Sequence, residues 1–207
     1  MSRLSRLAVV ASLILVACSP GEPASAGPPA QKGPDSGRRE VAVFAGGCFW
    51  SVEANFERMP GVVSAVSGFA GGRVANPRYD QVVRGGTGHL EAVQVTFDPA
   101  RITYRQLVDR FWRTIDPTDP DGQFCDQGAP YATAVFATAA QRPAAEASRA
   151  AAAAIIGERR FVTPVRDAAR FWPAEAYHQD FARLNPVRYG GYVRFCGREA
   201  RLRAVWG

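Results

Sequence analysis

The sequence predicts a layered domain that contains both strands and helices, of the α/β or α+β class. Two observations support this prediction. Segments with strand patterns alternate with segments of helical spacing, and 47% of the 207 residues are hydrophobic while 21% are charged. This is the composition of a globular protein, and the length suits one domain with a sizeable core. The same figures exclude a multi-span membrane protein and a disordered chain.

The elements follow one another along the chain from residue 41. Strand patterns occur at residues 41–45, 62–69, 90–97, 131–137 and 164–167. Helical spacing occurs at residues 48–59, 103–115, 139–157 and 174–184. The remaining stretches, at residues 76–88, 116–130 and 186–195, are predicted to be loops or irregular structure. Cys48 therefore lies where the first strand ends and the first helix begins.

The segment before the domain is predicted to export and tether the protein. Two arginines precede a short apolar run over residues 7–16, and Ala17 and Cys18 follow that run. This order is typical of a signal peptide, and the run is shorter than the roughly twenty residues that span a bilayer. The next stretch is rich in Pro, Gly, Ala and Ser, which predicts a flexible tether. We expect a signal peptide over 1–17, a tether over 18–39 and a folded domain over 40–207.

The charged residues and the cysteines exclude several kinds of function. The 25 Lys and Arg and the 19 Asp and Glu give a net charge of +6, but the basic residues are scattered. A nucleic-acid-binding protein usually shows a basic stripe with interleaved aromatic residues. Four cysteines without a CxxC pair, and two histidines, are too few for a structural zinc cluster or a dense disulfide framework. We expect neither a nucleic-acid partner nor a metal.

Cys48 is the strongest candidate for chemistry. A cysteine at a helix N-terminus meets unpaired backbone N–H groups and the positive end of the helix dipole. Both favour a thiolate, so we expect a lowered pKa and a reactive sulfur. The alternative is a buried structural cysteine.

Several motifs occur in a fixed order along the domain. They are Gly46-Gly47-Cys48-Phe49-Trp50 with Glu53; Asn76-Pro77-Arg78-Tyr79; Thr87-Gly88-His89 with Glu91; Asp116-Pro117-Thr118 before Asp126-Gln127-Gly128 and Tyr131; and Tyr177-His178-Gln179-Asp180-Phe181. Over about residues 40–207 the chain resembles the A-type peptide methionine sulfoxide reductases. The resemblance implies an α+β fold, a two-layer α/β sandwich in which helices pack on a mixed sheet with a ferredoxin-like core.

The resemblance also implies an activity, the thiol-dependent reduction of methionine-S-sulfoxide, free or in oxidised proteins, without any cofactor. Cys48 corresponds to the nucleophile, which attacks the sulfoxide and becomes a sulfenic acid. Glu91 corresponds to the acid that protonates the sulfoxide oxygen. Tyr79 and Tyr131 correspond to phenols that hydrogen-bond this oxygen. Asp126 corresponds to a carboxylate that organises the site.

The residues themselves are compatible with these roles. Phe49 and Trp50 correspond to the apolar wall that receives the methyl group on the substrate sulfur. Glu91 shares a strand face with Val93 and Val95, a setting in which burial can raise a carboxyl pKa into the range of a general acid. Taken alone, a carboxylate on a strand is more often solvated.

The sulfenic acid must be reduced by a second thiol, which condenses with it to a disulfide. We favour Cys196, which precedes Gly197 near the C-terminus, because many members of the family carry a resolving cysteine in such a segment. Cys125, which adjoins Asp126, is the alternative. A Cys125–Cys196 disulfide, either a relay or static, is also open. The resemblance implies that a thioredoxin-like partner reduces the final disulfide.

Leu15-Val16-Ala17-Cys18 resembles the lipobox of bacterial lipoproteins. This implies lipidation of Cys18 and an exported protein that faces the periplasm or the cell exterior, attached to the membrane through a lipid anchor only. An ordinary cleaved signal peptide is the alternative. We expect a monomer.

Two other functions are considered. One is a different thiol enzyme, a peroxidase or a cysteine hydrolase, and a hydrolase would need His89 or His178 as a base beside Cys48. The other is a non-catalytic lipoprotein module that binds oxidised partners. We expect structural roles for both histidines. The sequence departs from the family at Ser51 and around Tyr131, where residues 129–130 and 132–133 differ from the usual ones.

Overall fold

The computed structural model describes residues 37–207. The predicted signal peptide, Cys18 and nearly all of the predicted tether lie outside this range, so these assignments stay predictions. Within residues 37–207, none of the helices has both the length and the apolar character that crossing a bilayer requires.

One sheet and a layer of helices make up the domain. The strands of the sheet are β1 (Glu40–Gly46), β2 (Val62–Ala70), β3 (Leu90–Phe97), β4 (Thr133–Ala137), β5 (Val165–Asp167) and β6 (Trp172–Pro173). The helices are α1 (Phe49–Glu57), α2 (Tyr79–Val83), α3 (Tyr104–Trp112), α4 (Arg142–Ile156), α5 (Phe181–Leu184), α6 (Pro186–Phe195) and α7 (Arg198–Trp206). A small hairpin joins Gly122–Gln123 to Asp126–Gln127, and a 3-10 turn covers Ala129–Tyr131.

The strand order is β5-β4-β1-β3-β2-β6. The four central strands pair antiparallel in the order β4-β1-β3-β2, which is a ferredoxin-like arrangement, and only β4 and β5 pair in parallel. The sheet is therefore mixed, and the predicted α+β two-layer sandwich is confirmed. The pairing of β2 with β3 sets Phe69 opposite Glu91, which places Glu91 on a central strand, away from the edges of the sheet.

Alternation along the strands separates the two faces of the sheet. Val93, Val95 and Phe97 of β3 belong to the cluster beneath the helices, whereas Ala92 and Leu90 belong to a smaller cluster on the opposite face. Period-two alternation in a strand produces this division. Glu91 is in phase with Val93 and Val95, so its carboxyl lies on the helix side of the sheet.

The aromatic rings of the core fix α1 over the sheet. The ring centroid of Phe44 on β1 lies 4.7 Å from that of Phe56 on α1 and 4.9 Å from that of Phe111 on α3. All three side chains are fully buried. Removing one such ring costs about 3–5 kcal/mol in other cores. The N-terminus of α1 is thereby held beside the C-terminal end of β1 and the N-terminal end of β3.

The turn between β1 and α1 requires glycine. Gly47 has φ +77°, and a Cβ atom there would lie 2.4 Å from Cβ of Gln123. A side chain at this position would therefore be strained and would also collide with its neighbour. This tight turn is what places Cys48 at the N-cap of α1.

The C-terminal region differs from the prediction. Residues 186–195, predicted to be irregular, form α6, and Pro186 occupies its first turn, where proline is favoured. The prediction was wrong because Gly190 and Gly191 each lower helix propensity by about 1 kcal/mol. Contacts of α6 with the rest of the domain offset this loss. Residues 174–184, predicted to be one helix, form only a 3-10 turn over Ala176–His178 and the short α5.

Candidate active site

Cys48 lies at the N-cap of α1, as predicted. Its carbonyl oxygen accepts the backbone N–H groups of Ser51 and Val52 at 3.1 and 3.3 Å. The side chain is only 6% exposed, and it is the free cysteine among the described residues. The phenol of Tyr192 on α6 favours the ionised form of this thiol and so lowers its pKa.

The electrostatics of Cys48 differ from the prediction. Burial, followed by the charges of Glu91 and Asp126, raises the pKa of the thiol to about 12, although the hydrogen bond with Tyr192 lowers it. The expected lowered pKa is therefore wrong, because loss of hydration and two nearby carboxylates outweigh the helix N-terminus. Glu91 contributes to the rise only while it is charged.

Glu91 is a buried acid directed at the N-terminus of α1. Its side chain is 1% exposed, and its Oε2 atom accepts the backbone N–H of Phe49 at 2.9 Å. Burial raises the pKa of this carboxyl to about 8, against the lowering effect of that hydrogen bond. At neutral pH the carboxyl is mostly protonated, so it can donate a proton within the site.

Tyr79 and Tyr131 each influence the pKa of the other. Tyr79 is the first residue of α2, and its backbone N–H donates to Oε1 of Glu175 at 3.0 Å. Tyr131 ends the 3-10 turn, and its phenol lowers the pKa of Tyr79. Burial, followed by the charge of Glu91, raises the pKa of both phenols, that of Tyr79 to about 12. Both therefore remain protonated donors, and the unusual residues around Tyr131 do not remove it from the site.

Asp126 is held by a residue of α6. It belongs to the small hairpin, and Tyr192 donates a short hydrogen bond to its Oδ2 atom. Burial raises the pKa of Asp126, while this hydrogen bond and the charge of Arg198 lower it. Arg198 is itself buried, donating to the carbonyl of Thr114 at 2.6 Å. The hairpin carboxylate is therefore fixed by two helices of the C-terminal region.

An aromatic wall flanks the cysteine. Phe49 is 1% exposed, and its ring centroid lies 6.0 Å from that of Tyr79 and 5.0 Å from that of His178. Trp50 stacks on Phe181 of α5 at 3.7 Å with an angle of 8° between the rings. The indole N–H of Trp50 donates to Nδ1 of His178 at 3.1 Å. The wall is rigid because each ring is held by another element.

Cys125 and Cys196 form a disulfide with each other. This is one of the arrangements that the sequence left open, and in this state neither sulfur is a free thiol. The bond joins the hairpin that carries Asp126 to the C-cap of α6, the helix that carries Tyr192. Which of the two cysteines resolves the sulfenic acid stays a prediction.

Neither histidine is hydrogen-bonded to Cys48. His89 accepts the backbone N–H of Gly72 at 3.1 Å through Nδ1, and its Nε2 atom contacts the carbonyl of Val74 at 2.7 Å. His178 holds Trp50, and its Nε2 atom is buried without a hydrogen-bond partner. This arrangement does not provide the Cys–His pair of a cysteine hydrolase.

One acidic cluster among the described residues has the spacing of a cation site. It consists of Glu53, Glu57 and Asp180, whose oxygen atoms lie within 4.8 Å of one another. Glu53 is already used within the protein, because it accepts the hydroxyl of Ser67 at 2.7 Å and the backbone N–H of Asp180 at 3.1 Å. The cluster therefore serves to connect α1, β2 and the segment before α5.

Comparisons with known proteins agree with this geometry. The sequence profile of the family described as peptide methionine sulfoxide reductase matches residues 40–207. The chain belongs to the peptide methionine sulfoxide reductase family.

Two bacterial relatives and one solved structure illustrate the match to this family. The peptide methionine sulfoxide reductase MsrA 2 of Rhizobium meliloti is 51% identical over 169 residues, covering 81% of this chain and 84% of the relative. MsrA 2 of Caulobacter vibrioides is 45% identical over 204 residues, covering 99% and 100%. The reduced form of Mxr1 from Saccharomyces cerevisiae superposes with a TM-score of 0.68 at 28% identity, covering 74% of this chain and 89% of that one.

Within this reductase fold, the structure adds two residues that sequence reasoning missed. Tyr192 donates to Asp126 and lowers the pKa of Cys48, and Arg198, which is buried, lowers the pKa of Asp126. Tyr192 was missed because the segment that contains it was predicted to be irregular, so no helical face was assigned to that segment. Its position four residues before Cys196 was the available signal, since residues four apart share a helix face.

Proposed function

We propose that this reductase converts methionine-S-sulfoxide to methionine, in oxidised proteins or as the free amino acid. Cys48 attacks the sulfur of the sulfoxide while Glu91 protonates the oxygen. The cysteine sulfur is oxidised to a sulfenic acid, and the substrate sulfur is reduced to a thioether. Tyr79 and Tyr131 donate hydrogen bonds to the oxygen, and the wall formed by Phe49 and Trp50 receives the methyl group.

One observation carries this proposal: a buried, protonated carboxyl lies next to a buried thiol. The pKa of Glu91 is raised to about 8, so at neutral pH the acid is present where an oxygen atom must be protonated. The same residue accepts the N–H of Phe49 at 2.9 Å, which keeps it at the N-terminus of the helix that begins after Cys48.

Regeneration of Cys48 follows from the two remaining cysteines of the domain. A sulfenic acid at Cys48 requires a free thiol, which Cys196 or Cys125 can supply only when their mutual disulfide is reduced. We propose that a thioredoxin-like reductant opens that disulfide by thiol–disulfide exchange. The thiol that resolves the sulfenic acid then forms a disulfide with Cys48, and exchange returns the Cys125–Cys196 bond.

The test uses the two sulfoxide epimers of N-acetylmethionine, supplied separately with dithiothreitol, and counts the methionine derivative formed. We expect turnover of the S epimer alone. Cys48→Ser is the matched control, since it replaces one atom, and it should abolish turnover while leaving the melting temperature within about 2 °C. Turnover by that variant, or equal turnover of both epimers, would contradict the proposed function.

We further propose that the protein is exported and anchored by a lipid on Cys18, facing the periplasm or the cell exterior as a monomer. The lipobox-like Leu15-Val16-Ala17-Cys18 supports this proposal. Labelling cells with a radioactive fatty acid should mark the wild-type chain but not Cys18→Ser. Equal labelling of the two would refute lipidation at this position.

A further inference from the structure

Both cysteines of the disulfide are attached to one short segment, residues 114–116, which follows α3. On the Cys196 side the attachment runs through the next helix, α7, which donates hydrogen bonds to all three residues of this segment. The donors and their acceptors are Arg198 to the carbonyl oxygen of Thr114 at 2.6 Å, Trp206 to that of Ile115 at 3.0 Å, and Arg201 to Oδ2 of Asp116 at 2.5 Å. The helix that follows Cys196 is therefore held by bonds that do not involve sulfur.

The segment before Cys125 is attached to the same place through the side chain of Gln123. This side chain is fully buried. Its Oε1 atom accepts the backbone N–H of Asp116 at 2.9 Å, and its Nε2 atom donates to the carbonyl oxygen of Asp116 at 2.7 Å. Gln123 also packs against Gly47, where a Cβ atom would lie 2.4 Å from its own. The hairpin that carries Cys125 is therefore fixed beside the turn that carries Cys48.

Asp116 is the residue at which the two attachments meet. Its side chain is 3% exposed. Its Oδ2 atom accepts the guanidinium of Arg201, while Oδ1 accepts the backbone N–H and the hydroxyl of Thr118 at 2.9 and 2.6 Å. Its backbone N–H and carbonyl oxygen bond with Gln123. Because a buried polar group is stable only when it is hydrogen-bonded, this full set of partners keeps the carboxylate in place.

Two further contacts flank the disulfide and join its two sides directly. The residue before Cys125, Phe124, has its ring centroid 4.2 Å from the guanidinium carbon of Arg198. The residue after it, Asp126, accepts the phenol of Tyr192 at its Oδ2 atom. Reduction removes only the bond between the two sulfurs, so these contacts keep their partners in both redox states.

Regeneration of Cys48 requires both thiols that reduction of the disulfide produces. The reductant supplies two electrons and two protons and is itself oxidised to a disulfide. One of the two thiols condenses with the sulfenic acid, which forms a disulfide with Cys48 and one water. The other thiol then attacks this disulfide, so that the Cys125–Cys196 bond forms, the bond to Cys48 breaks, and a proton passes from the attacking to the leaving sulfur. Because this last step is intramolecular, its rate depends on how closely the two cysteines are held.

We infer that Asp116 is a positioning residue that keeps Cys125 and Cys196 within reach of each other after their disulfide is reduced. Gln123 holds one side of the pair at Asp116, and Arg201 holds the other. The inference rests on the proposed function, in which this pair regenerates the nucleophile. In the oxidised protein the two Cα atoms lie 5.0 Å apart, and the bonds at Asp116 keep their separation close to the one that a disulfide requires.

The first experiment measures the equilibrium of the Cys125–Cys196 disulfide with glutathione. Every protein is the full chain with Cys18→Ser, so that the three cysteines of the domain are the thiols present. Alkylation, digestion and mass spectrometry count the chains in which the two cysteines are linked, and the glutathione ratio at half-oxidation gives the effective concentration of the pair. Arg201→Met removes one of the two attachments at Asp116, and we expect it to lower the effective concentration about tenfold. Arg201→Lys, which keeps the positive charge, should recover part of this loss.

Asp116→Asn tests the shared residue itself. The amide keeps the shape of the carboxyl and an oxygen for Thr118, but its NH2 group cannot accept the guanidinium of Arg201. This variant should lower the effective concentration by about the same factor as Arg201→Met. Combining the two substitutions should add little, because both remove the same contact. Effects that multiply in the double variant would contradict the inference.

Arg149→Met is the matched control, because Arg149 makes similar bonds between segments that contain no cysteine. It donates to the carbonyl oxygens of Phe161 and Thr163 at 2.9 and 3.1 Å, and it forms an ion pair with Glu158 at 2.8 Å. Its loss should lower the melting temperature but leave the effective concentration within about twofold of wild type. An equal fall in Arg149→Met and Arg201→Met, or no fall in Arg201→Met, would overturn the inference.

Methionine formation without added reductant gives a readout that a loss of stability alone would not change. Fully reduced protein with excess sulfoxide should form about two methionines per chain, the second only after exchange has returned the thiol of Cys48. Arg201→Met should form the first at the wild-type rate, because Arg201 bonds with Asp116 and Thr118 and not with the active site. It should form the second about tenfold more slowly.

The two methionines also separate this inference from the proposed function. A second methionine that Arg201→Met forms as fast as wild type would refute the positioning role of Asp116. A first methionine that wild type does not form, or that Cys48→Ser still forms, would instead refute the proposed function.

Discussion

Replacing Glu91 with glutamine should change activity and stability in opposite directions. Glutamine has nearly the same shape and can still accept the N–H of Phe49, which Glu91 accepts at 2.9 Å. It cannot donate a proton as an acid. We therefore expect the single-turnover rate of Glu91→Gln at pH 7 to fall by about 10²–10⁴-fold, the range typical of a lost general acid.

The stability change follows from the pKa of the same group. The carboxyl has an ordinary pKa of 4.5, which burial in the folded protein raises to about 8. Between these values the unfolded chain loses the proton while the folded chain keeps it, so the unfolding free energy of wild type falls as pH rises. The fall amounts to about 3 kcal/mol at pH 7 and roughly 5 kcal/mol above pH 8. Glu91→Gln avoids this cost.

Urea unfolding of both proteins at pH 5, 7 and 8.5, with the disulfide intact, measures the difference. The two unfolding free energies should lie close together at pH 5. At each higher pH the unfolding free energy of the variant should exceed that of wild type by a larger amount. A constant difference across the three pH values would refute the burial argument. A variant that turns over as fast as wild type would refute the role of Glu91 as the acid.

Two further predictions concern the cysteines and the first turn. Cys196→Ser should form about one methionine per chain and then slow sharply, as counted by chromatography with a thioredoxin as the sole reductant, since the thiol favoured for resolving the sulfenic acid is missing; sustained turnover under these conditions would assign that role to Cys125, which the substitution leaves as a free thiol. Gly47→Ala should destabilise the fold by about 1–3 kcal/mol in thermal unfolding, because its Cβ would lie 2.4 Å from Cβ of Gln123. Gly85→Ala, which also has a positive φ but no atom within 4 Å, should cost less, and an equal cost would argue against the collision.

The sequence predicted the central sheet and its helices because their signals are local and strong. Alternation over β3 and helical spacing at Phe49, Val52 and Phe56 each depend on a few neighbouring residues. These signals also set Glu91 on the buried face of its strand. Element ends differed by one to three residues, where fraying and capping decide the boundary.

The C-terminal region could not be predicted in the same way. Gly190 and Gly191 argue against a helix locally, yet α6 forms because Tyr189, Tyr192 and Cys196 are all bound to distant parts of the chain. The ionisation of Cys48 was mispredicted for a related reason. A helix N-terminus can be inferred from nearby sequence, whereas the loss of hydration and the charges of Glu91 and Asp126 arise only after folding.

The stability of the folded protein depends on the redox state of its disulfide. The bond closes a loop between residues 71 apart in sequence, and a crosslink of this span restricts the unfolded chain enough to stabilise the folded one by about 4 kcal/mol. That is a large part of the 5–15 kcal/mol typical of a whole domain. The protein is therefore most stable against unfolding when its disulfide is formed. Each reduction of the disulfide produces a less stable form of the protein, which heat unfolds and proteases cleave more easily until the bond forms again.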